Sequence, residues 1–344
     1  MISIYVTGLL IFCFGLLNLF GLNQELFWRQ LSFFGIAIII FFMAKKIRRN
    51  YFNLNSKFFY WLFIGLLISV FFLAIEIRGA KRWLNFSFFN FQPSEFFKVF
   101  YIIFLSQLLS KKRVDLDKRI SFFVNLFYFV IPAILIFKQP DLGSTIVLGL
   151  VFIVMVFVSD TPKKYLINLV ILLILAFPVG WLFLQPYQKV RLMSFFNPHL
   201  DTQGTAYNMI QSIITIGSGK FFGKGLGLGT QTKLRFLPEN YTDFSYASLV
   251  EQFGFFGGGL IIILFFLLCL FILKRTLTFC RENTLEGKQK FYYSLGVLTF
   301  LTCQIVVNIG MNLGIMPITG ITLPLISYGG SSLGSFMLAL ALFP

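Results

Sequence analysis

The chain is poor in charge: 12% of its 344 residues are Asp, Glu, Lys or Arg, while 57% are hydrophobic. That polar fraction is too small to cover a soluble globule of this length. Histidine is scarcer still, with His199 alone, read as a solvated loop residue. The four cysteines, Cys13, Cys269, Cys280 and Cys303, show no CxxC spacing. This argues against a zinc site or a disulfide framework and for small apolar packing residues. Residues 2–20 have neither a basic leader nor a small-residue cleavage site, so they read as a retained first helix rather than a signal peptide. No SxxK sequence is present, and no His or Ser arrangement points to acyl transfer. Acidic residues number 13 against 29 basic ones, which raises the question of a nucleic-acid partner.

Long apolar runs, by contrast, fill the chain, and mean hydropathy is +0.83. Runs of about 17–25 residues are what a helix needs to cross a bilayer, whereas a membrane β-barrel shows short alternating segments. Ten candidate spans fall at about 2–20, 29–44, 58–75, 96–110, 121–137, 143–159, 165–184, 246–273, 291–312 and 324–342. The expected fold is all-α: a polytopic integral membrane protein of about ten transmembrane helices, one domain over residues 1–344. A large extracytoplasmic loop at about 185–245 precedes the eighth helix. With the N-terminus inside, cytoplasmic loops hold 17 of the 29 basic residues and the longer outer segments hold 12. That split follows the positive-inside rule and places both termini in the cytoplasm. The basic surplus is therefore topological, and no basic stripe with interleaved aromatics suggests a nucleic-acid groove. The 48 Phe are spread over all spans and read as lipid-facing filler.

Under this topology the segments 76–98, 138–145, 185–245 and 313–332 share the outer side, together with Glu25, Glu76, Glu95, Asp141, Asp201, Glu239, Asp243 and Glu251. Ionisable groups kept at a membrane boundary are functional candidates by default. Gly- and Pro-rich backbone at membrane depth is tolerated where it lines a watery cavity. An outward-facing polar cavity is expected. The stretch GSGKFFGKGLGLGT at 217–230 invites a phosphate-loop reading, but Ser218 and Gly225 occupy positions that need Gly and Ser or Thr. Nucleotide binding is rejected, although backbone amides with Lys220 or Lys224 could still meet a phosphate.

Several segments occur in an order that resembles one family. They are Ala80 to Asn85 (AKRWLN), Phe91 to Lys98 (FQPSEFFK) and Gln139 to Ser144 (QPDLGS). Arg191 with Phe195 to Pro198 and Tyr207 to Ser212 follow, then Leu237 to Phe244 (LPENYTDF), Pro317 to Gly320 (PITG) and Ser327 to Ser332 (SYGGSS). Over about residues 78–332 the chain is similar to the SEDS (shape, elongation, division, sporulation) family. Leu142 in QPDLG, the short N-terminus and the absence of long tails lean toward the RodA branch, with the FtsW branch second. Tyr241 stands where the family usually has His, so no His acts there, and Ser245-Tyr246 replaces a common Ile-Phe pair.

The resemblance implies a peptidoglycan glycosyltransferase that polymerises lipid II into β-1,4 glycan strands during cell-wall elongation and releases undecaprenyl diphosphate. It also implies a class B penicillin-binding protein as partner, the bacterial inner membrane as location, and a site facing the periplasm. Converting an α-linked donor to a β product in one displacement needs a base on the acceptor hydroxyl and positive charge at the departing diphosphate. Asp243 is the candidate base, or the ligand of a divalent cation, Mg²⁺ or Mn²⁺; its bland alternative is a helix N-cap. Glu239 would share a helical face with Asp243 if the turn is helical. Glu95 and Lys98 are either an ion pair at a helix end or a diphosphate contact. Arg191 suits bidentate phosphate contact, or a lipid headgroup. Trp83 is an interfacial anchor or a sugar-stacking platform, Lys224 a phosphate contact, and Asp141 a structural turn. A lipid II flippase is the first rival reading, although no inverted repeat is visible. A non-enzymatic scaffold for the penicillin-binding protein is the second.

Overall fold

The computed structural model describes residues 1–77, 80–86, 89–111, 118–183, 189, 193–195, 205–282 and 284–344. In chain order come α1 (Ile2–Leu22), α2 (Gln24–Ile47), the short α3 (Arg49–Leu54) and α4 (Ser56–Leu73). Strands β1 (Ile75–Ile77), β2 (Ala80–Phe86) and β3 (Phe89–Phe91) follow, then α5 (Pro93–Ser110), α6 (Lys118–Lys138), α7 (Leu142–Val158) and α8 (Lys163–Phe183). The remainder is α9 (Thr205–Ser218), α10 (Thr230–Lys233), α11 (Ser245–Cys280), α12 (Leu285–Asn312) and α13 (Gly330–Ala341).

A helix forms at every one of the ten apolar segments. Helices α1, α2, α4, α6, α11 and α12 are long and apolar enough to cross a membrane, and α7 and α13 are apolar but shorter. The cause is the one that makes the pattern legible: hydrocarbon offers no partner for a backbone amide, so each span must satisfy its own. Two features were not anticipated. The segment after α4 is a small antiparallel sheet in the order β1-β2-β3, with Ile75 opposite Trp83 and Leu84 opposite Phe91. The described part of the segment 185–245 holds α9, α10 and a turn that leads into α11.

Chain contacts divide the molecule into two compact units. The unit of Ser32–Asn168, Cys269–Cys303 and Gly330–Pro344 is built around α5, whose Phe97, Tyr101, Ile102, Phe104 and Leu105 are wholly buried. Pro93 opens α5, where a missing amide costs nothing. Ring packing fixes α4 against it: Phe63 stacks on Phe100 with centroids 4.7 Å apart and Tyr60 on Phe104 at 4.5 Å.

The unit of Met1–Leu31, Leu169–Leu268 and Gln304–Gly329 contains the N-terminal part of α11. Polar side chains tie α1 to it: Asn18 Nδ2 donates to Ser248 Oγ at 3.0 Å, and Gln252 Nε2 donates to Asn18 Oδ1 at 2.7 Å. Helix α11 is broken inside its apolar run. Gly254 takes φ 72° and ψ −173°, a conformation that a side chain would strain, and a Cβ there would lie 2.3 Å from the Gly223 amide. The groups freed by the break are taken up by the preceding loop. Lys224 N donates to Glu251 O at 2.9 Å and Gly225 N to Gln252 O at 3.0 Å, while Phe255 N donates to Lys220 O at 2.8 Å and Phe256 N to Phe221 O at 3.1 Å.

Candidate functional site

Asp243 lies two residues before the first residue of α11, in the turn Tyr241–Phe244. Phe244 anchors that turn by filling a core cluster with Leu237 and Ala247, against which Ile216 and Ile318 pack. The three carbonyls before Phe244 are each gripped from the stretch 308–328. Tyr328 N donates to Tyr241 O at 2.8 Å, and Ser327 Oγ donates to Thr242 O at 2.6 Å. Asn308 Nδ2 and Asn312 Nδ2 donate to Asp243 O at 3.0 and 3.1 Å. The Asp243 carboxylate is half-buried, and its Oδ2 lies 3.5 Å from the place a Cβ would occupy on Gly320. Gly320, in the PITG segment at φ 72°, lets backbone approach this closely.

Phe244 O accepts the first helical bond, from Ser248 N at 3.1 Å, and the Ala247 amide is capped by Asn312 Oδ1 at 3.0 Å. Phe244 therefore occupies the N-cap position, and the N-cap reading of Asp243 gives way. The shared helical face of Glu239 and Asp243 gives way too. Glu239 is left-handed at φ 54°, its carbonyl takes both the Thr242 and the Phe244 amides, and its carboxylate accepts from Thr242 Oγ1 at 2.9 Å. Its role is to brace the turn from the preceding residue side.

Lys224 is held internally, with Nζ 2.5 Å from Thr230 Oγ1 and 3.5 Å from Glu251 Oε1. Sequence reasoning passed over Glu251, counted only as one outer acid among eight. Its fully buried carboxylate also accepts from Gln231 N at 2.8 Å and Thr232 N at 3.0 Å, pinning α10 and the glycine-rich loop to α11. An acid inside an otherwise apolar run was the available signal.

The second unit holds the other candidates. Glu95 and Lys98 face each other one turn apart at 2.7 Å, with 9% and 2% of their side chains exposed. They form a buried ion pair, not the exposed helix-end pair that the spacing alone allowed. Lys98 Nζ also lies over the Phe300 ring, 5.3 Å from its centroid. Glu95 Oε2 is buried without a hydrogen-bond partner among the described residues, a costly state that native structures rarely keep without a use.

Asp141, read from sequence as a turn, is the N-cap of α7 and receives Ser144 N at 3.1 Å. It also takes Gln92 Nε2 at 2.9 Å and Ser94 Oγ at 3.1 Å, and pairs with Arg82 at 3.6 Å. Burial pushes its pKa up, but the Arg82 and Lys98 charges and the Ser144 hydrogen bonds outweigh burial and hold it below the usual carboxylate range. The half-buried Trp83 carries the Arg82 guanidinium on its ring at 4.5 Å. Arg191 lies outside the described residues.

Together these features define a multi-spanning helical membrane protein with a carboxylate on a rigid turn and a buried ion pair beside a capped helix. A family model described as cell cycle protein, covering FtsW, RodA and SpoVE, matches residues 4–343. The chain belongs to this family, the SEDS proteins. It is 37% identical to the probable peptidoglycan glycosyltransferase FtsW of Tolumonas auensis over 77% of this chain and 68% of that one. It is 35% identical to the stage V sporulation protein E of Bacillus subtilis over 90% and 84%. Among solved structures it is similar to a peptidoglycan synthase complex described for the coordination of polymerization and crosslinking, at 26% identity and TM-score 0.83, covering 100% and 96% of the two chains. The rod shape determining protein RodA of Thermus thermophilus shares the fold at 24% identity and TM-score 0.72, covering 99% and 94%.

Proposed function

We propose that this glycosyltransferase polymerises lipid II, with Asp243 as the base. The observation that carries the reading is the turn itself. A half-buried carboxylate sits on a backbone whose own and two preceding carbonyl groups are tied down, so its position is set before substrate arrives. The carboxylate takes the proton of the acceptor 4-hydroxyl as that oxygen forms the new bond to the donor C1. The bond from C1 to the diphosphate oxygen breaks on the opposite face, and its electron pair leaves with undecaprenyl diphosphate. A diphosphate is a good leaving group, so no paired acid is required. Lys98, oriented by Glu95, and Arg191 are assigned to hold the lipid-linked diphosphate, Trp83 to meet a sugar, Lys224 to meet a phosphate, and Glu239 to brace the turn that carries the base.

Among the described residues no three His, Cys, Asp or Glu side chains gather into a metal cage. A single carboxylate still suits Mg²⁺ or Mn²⁺, ions often bound through one or two carboxylates and substrate phosphates. Asp243 is the residue that would hold such an ion, which would supply positive charge to the diphosphate. Purified protein in detergent, given lipid II with Mg²⁺ or Mn²⁺, is expected to yield glycan polymer. Lipid II moved across vesicles with no polymer formed would favour the flippase instead.

The proposed location is the bacterial inner membrane, with both termini cytoplasmic and the Asp243 turn facing the periplasm, supported by the 17-to-12 basic split. Impermeant thiol reagents on intact cells should label a cysteine at Lys233 and spare one at Glu286; the reverse would invert every assignment to a side. The proposed partner is a class B penicillin-binding protein, since no SxxK or other acyl-transfer arrangement occurs in the chain. Cell-wall elongation is the first role proposed. Division is the second, favoured by relatives that carry the FtsW name. Depletion giving round cells supports elongation, and depletion giving filaments supports division.

A further inference from the structure

Two asparagines on α12 have no role in the chemistry above, yet both are wholly buried in an apolar run. Asn308 and Asn312 are four residues apart, so they share one face of the helix. Asn308 spends both amide hydrogens, on Asp243 O at 3.0 Å and Ile321 O at 2.7 Å. Asn312 works at both ends: Nδ2 donates to Asp243 O at 3.1 Å and to Asn308 O at 2.8 Å, while Oδ1 accepts from Ala247 N at 3.0 Å. A single carbonyl oxygen thus receives two side-chain donors, while the first turn of α11 is capped from another helix. Buried amides without partners are expensive in an apolar setting, and simple glue between helices does not require both to converge on one residue.

We infer that Asn308 and Asn312 are positioning residues for Asp243, a role that rests on Asp243 being the base. They fix the carbonyl of Asp243 and the first turn of α11, so the residue that carries the carboxylate is held in one place against α12. Asn308 also holds Ile321 O, next to Gly320, and thereby sets the wall against which the carboxylate stands. Asn308 alone thus ties the base and the wall in mutual register, while Asn312 adds a second donor to the Asp243 carbonyl. A displacement of about 1 Å at a reacting group costs on the order of 10²-fold in rate.

The test is a double-mutant cycle on the full-length protein, reading kcat and KM for lipid II polymerisation alongside thermal stability. Asn308→Leu and Asn312→Leu remove the donors at similar volume. Each is expected to lower kcat about 10- to 100-fold in the folded fraction with KM little changed. In an Asp243→Asn background the same substitutions should lower the residual rate by less than twofold, because they act only through the carboxylate. Asn308→Ala and Asn312→Ala, which lose the donors without adding bulk or charge, are measured in the same way if a leucine variant does not fold. Unchanged kcat in folded Asn308 and Asn312 variants, or equal losses with and without Asp243, would overturn the inference while leaving Asp243 as base. A fully active Asp243→Asn variant would instead remove the reading on which it rests.

Discussion

Asp243→Asn should abolish most polymerisation while leaving a folded protein. The substitution keeps the size of the side chain and removes its charge and basicity, and loss of a general base costs about 10²–10⁴ in rate. Stability should change little, because the Ala247 amide is capped by Asn312 and the turn is held through backbone carbonyls. Those bonds do not involve the carboxylate. Monodisperse protein with a wild-type melting temperature and a rate reduced by at least 10² is the expected pair of results. Near-normal polymer synthesis by a well-folded variant would remove Asp243 from the chemistry. Glu239→Ala, which removes the carboxylate that braces Thr242, should behave in the opposite way, with a lower melting temperature and a smaller loss of rate.

The second large effect concerns the ion pair on α5. Glu95→Ala leaves the Lys98 ammonium 2% exposed with its partner gone, and breaking a buried pair from one side costs about 3–5 kcal/mol. The expected result is poor folded yield in membranes. Replacing both residues, Glu95→Gln with Lys98→Met, removes the stranded charge and should restore most of the yield, since buried pairs are often replaceable by neutral groups. If the pair serves only the fold, this double variant polymerises lipid II normally. If Lys98 holds the diphosphate, the double variant folds and remains inactive. Melting temperature and polymer yield measured on the same preparations separate the two outcomes, and full activity in the double variant would end the substrate role of Lys98.

The spans were legible because a bilayer demands long apolar runs, and each run became a helix. Asp243, Glu95 and Lys98 were legible as polar residues that membrane depth makes costly, and the motif order gave them a family. The sheet of β1, β2 and β3 was hidden, because two of its three strands are three residues long and carry too little pattern to register. Glu239 misled through spacing: four residues apart means a shared face only in a helix, and a left-handed residue ends that inference. Asn308 and Asn312 did carry a signal, two amides at i and i+4 in an apolar run, which was outweighed by more chemically vivid acids and bases. The branch within the family turned on Leu142 and tail length, features too slight to separate elongation from division.

The break at Gly254 also bears on how the chain assembles. In hydrocarbon an unsatisfied backbone group costs several kcal/mol, and the break frees two carbonyls and two amides that are satisfied by residues 220–225. Those residues precede α11 in the chain, so the segment that satisfies the break is synthesised before the apolar run that needs it. Reversing that order, by a circular permutation that places residues 205–244 after α11, would oblige the helix to enter the membrane straight and break afterwards.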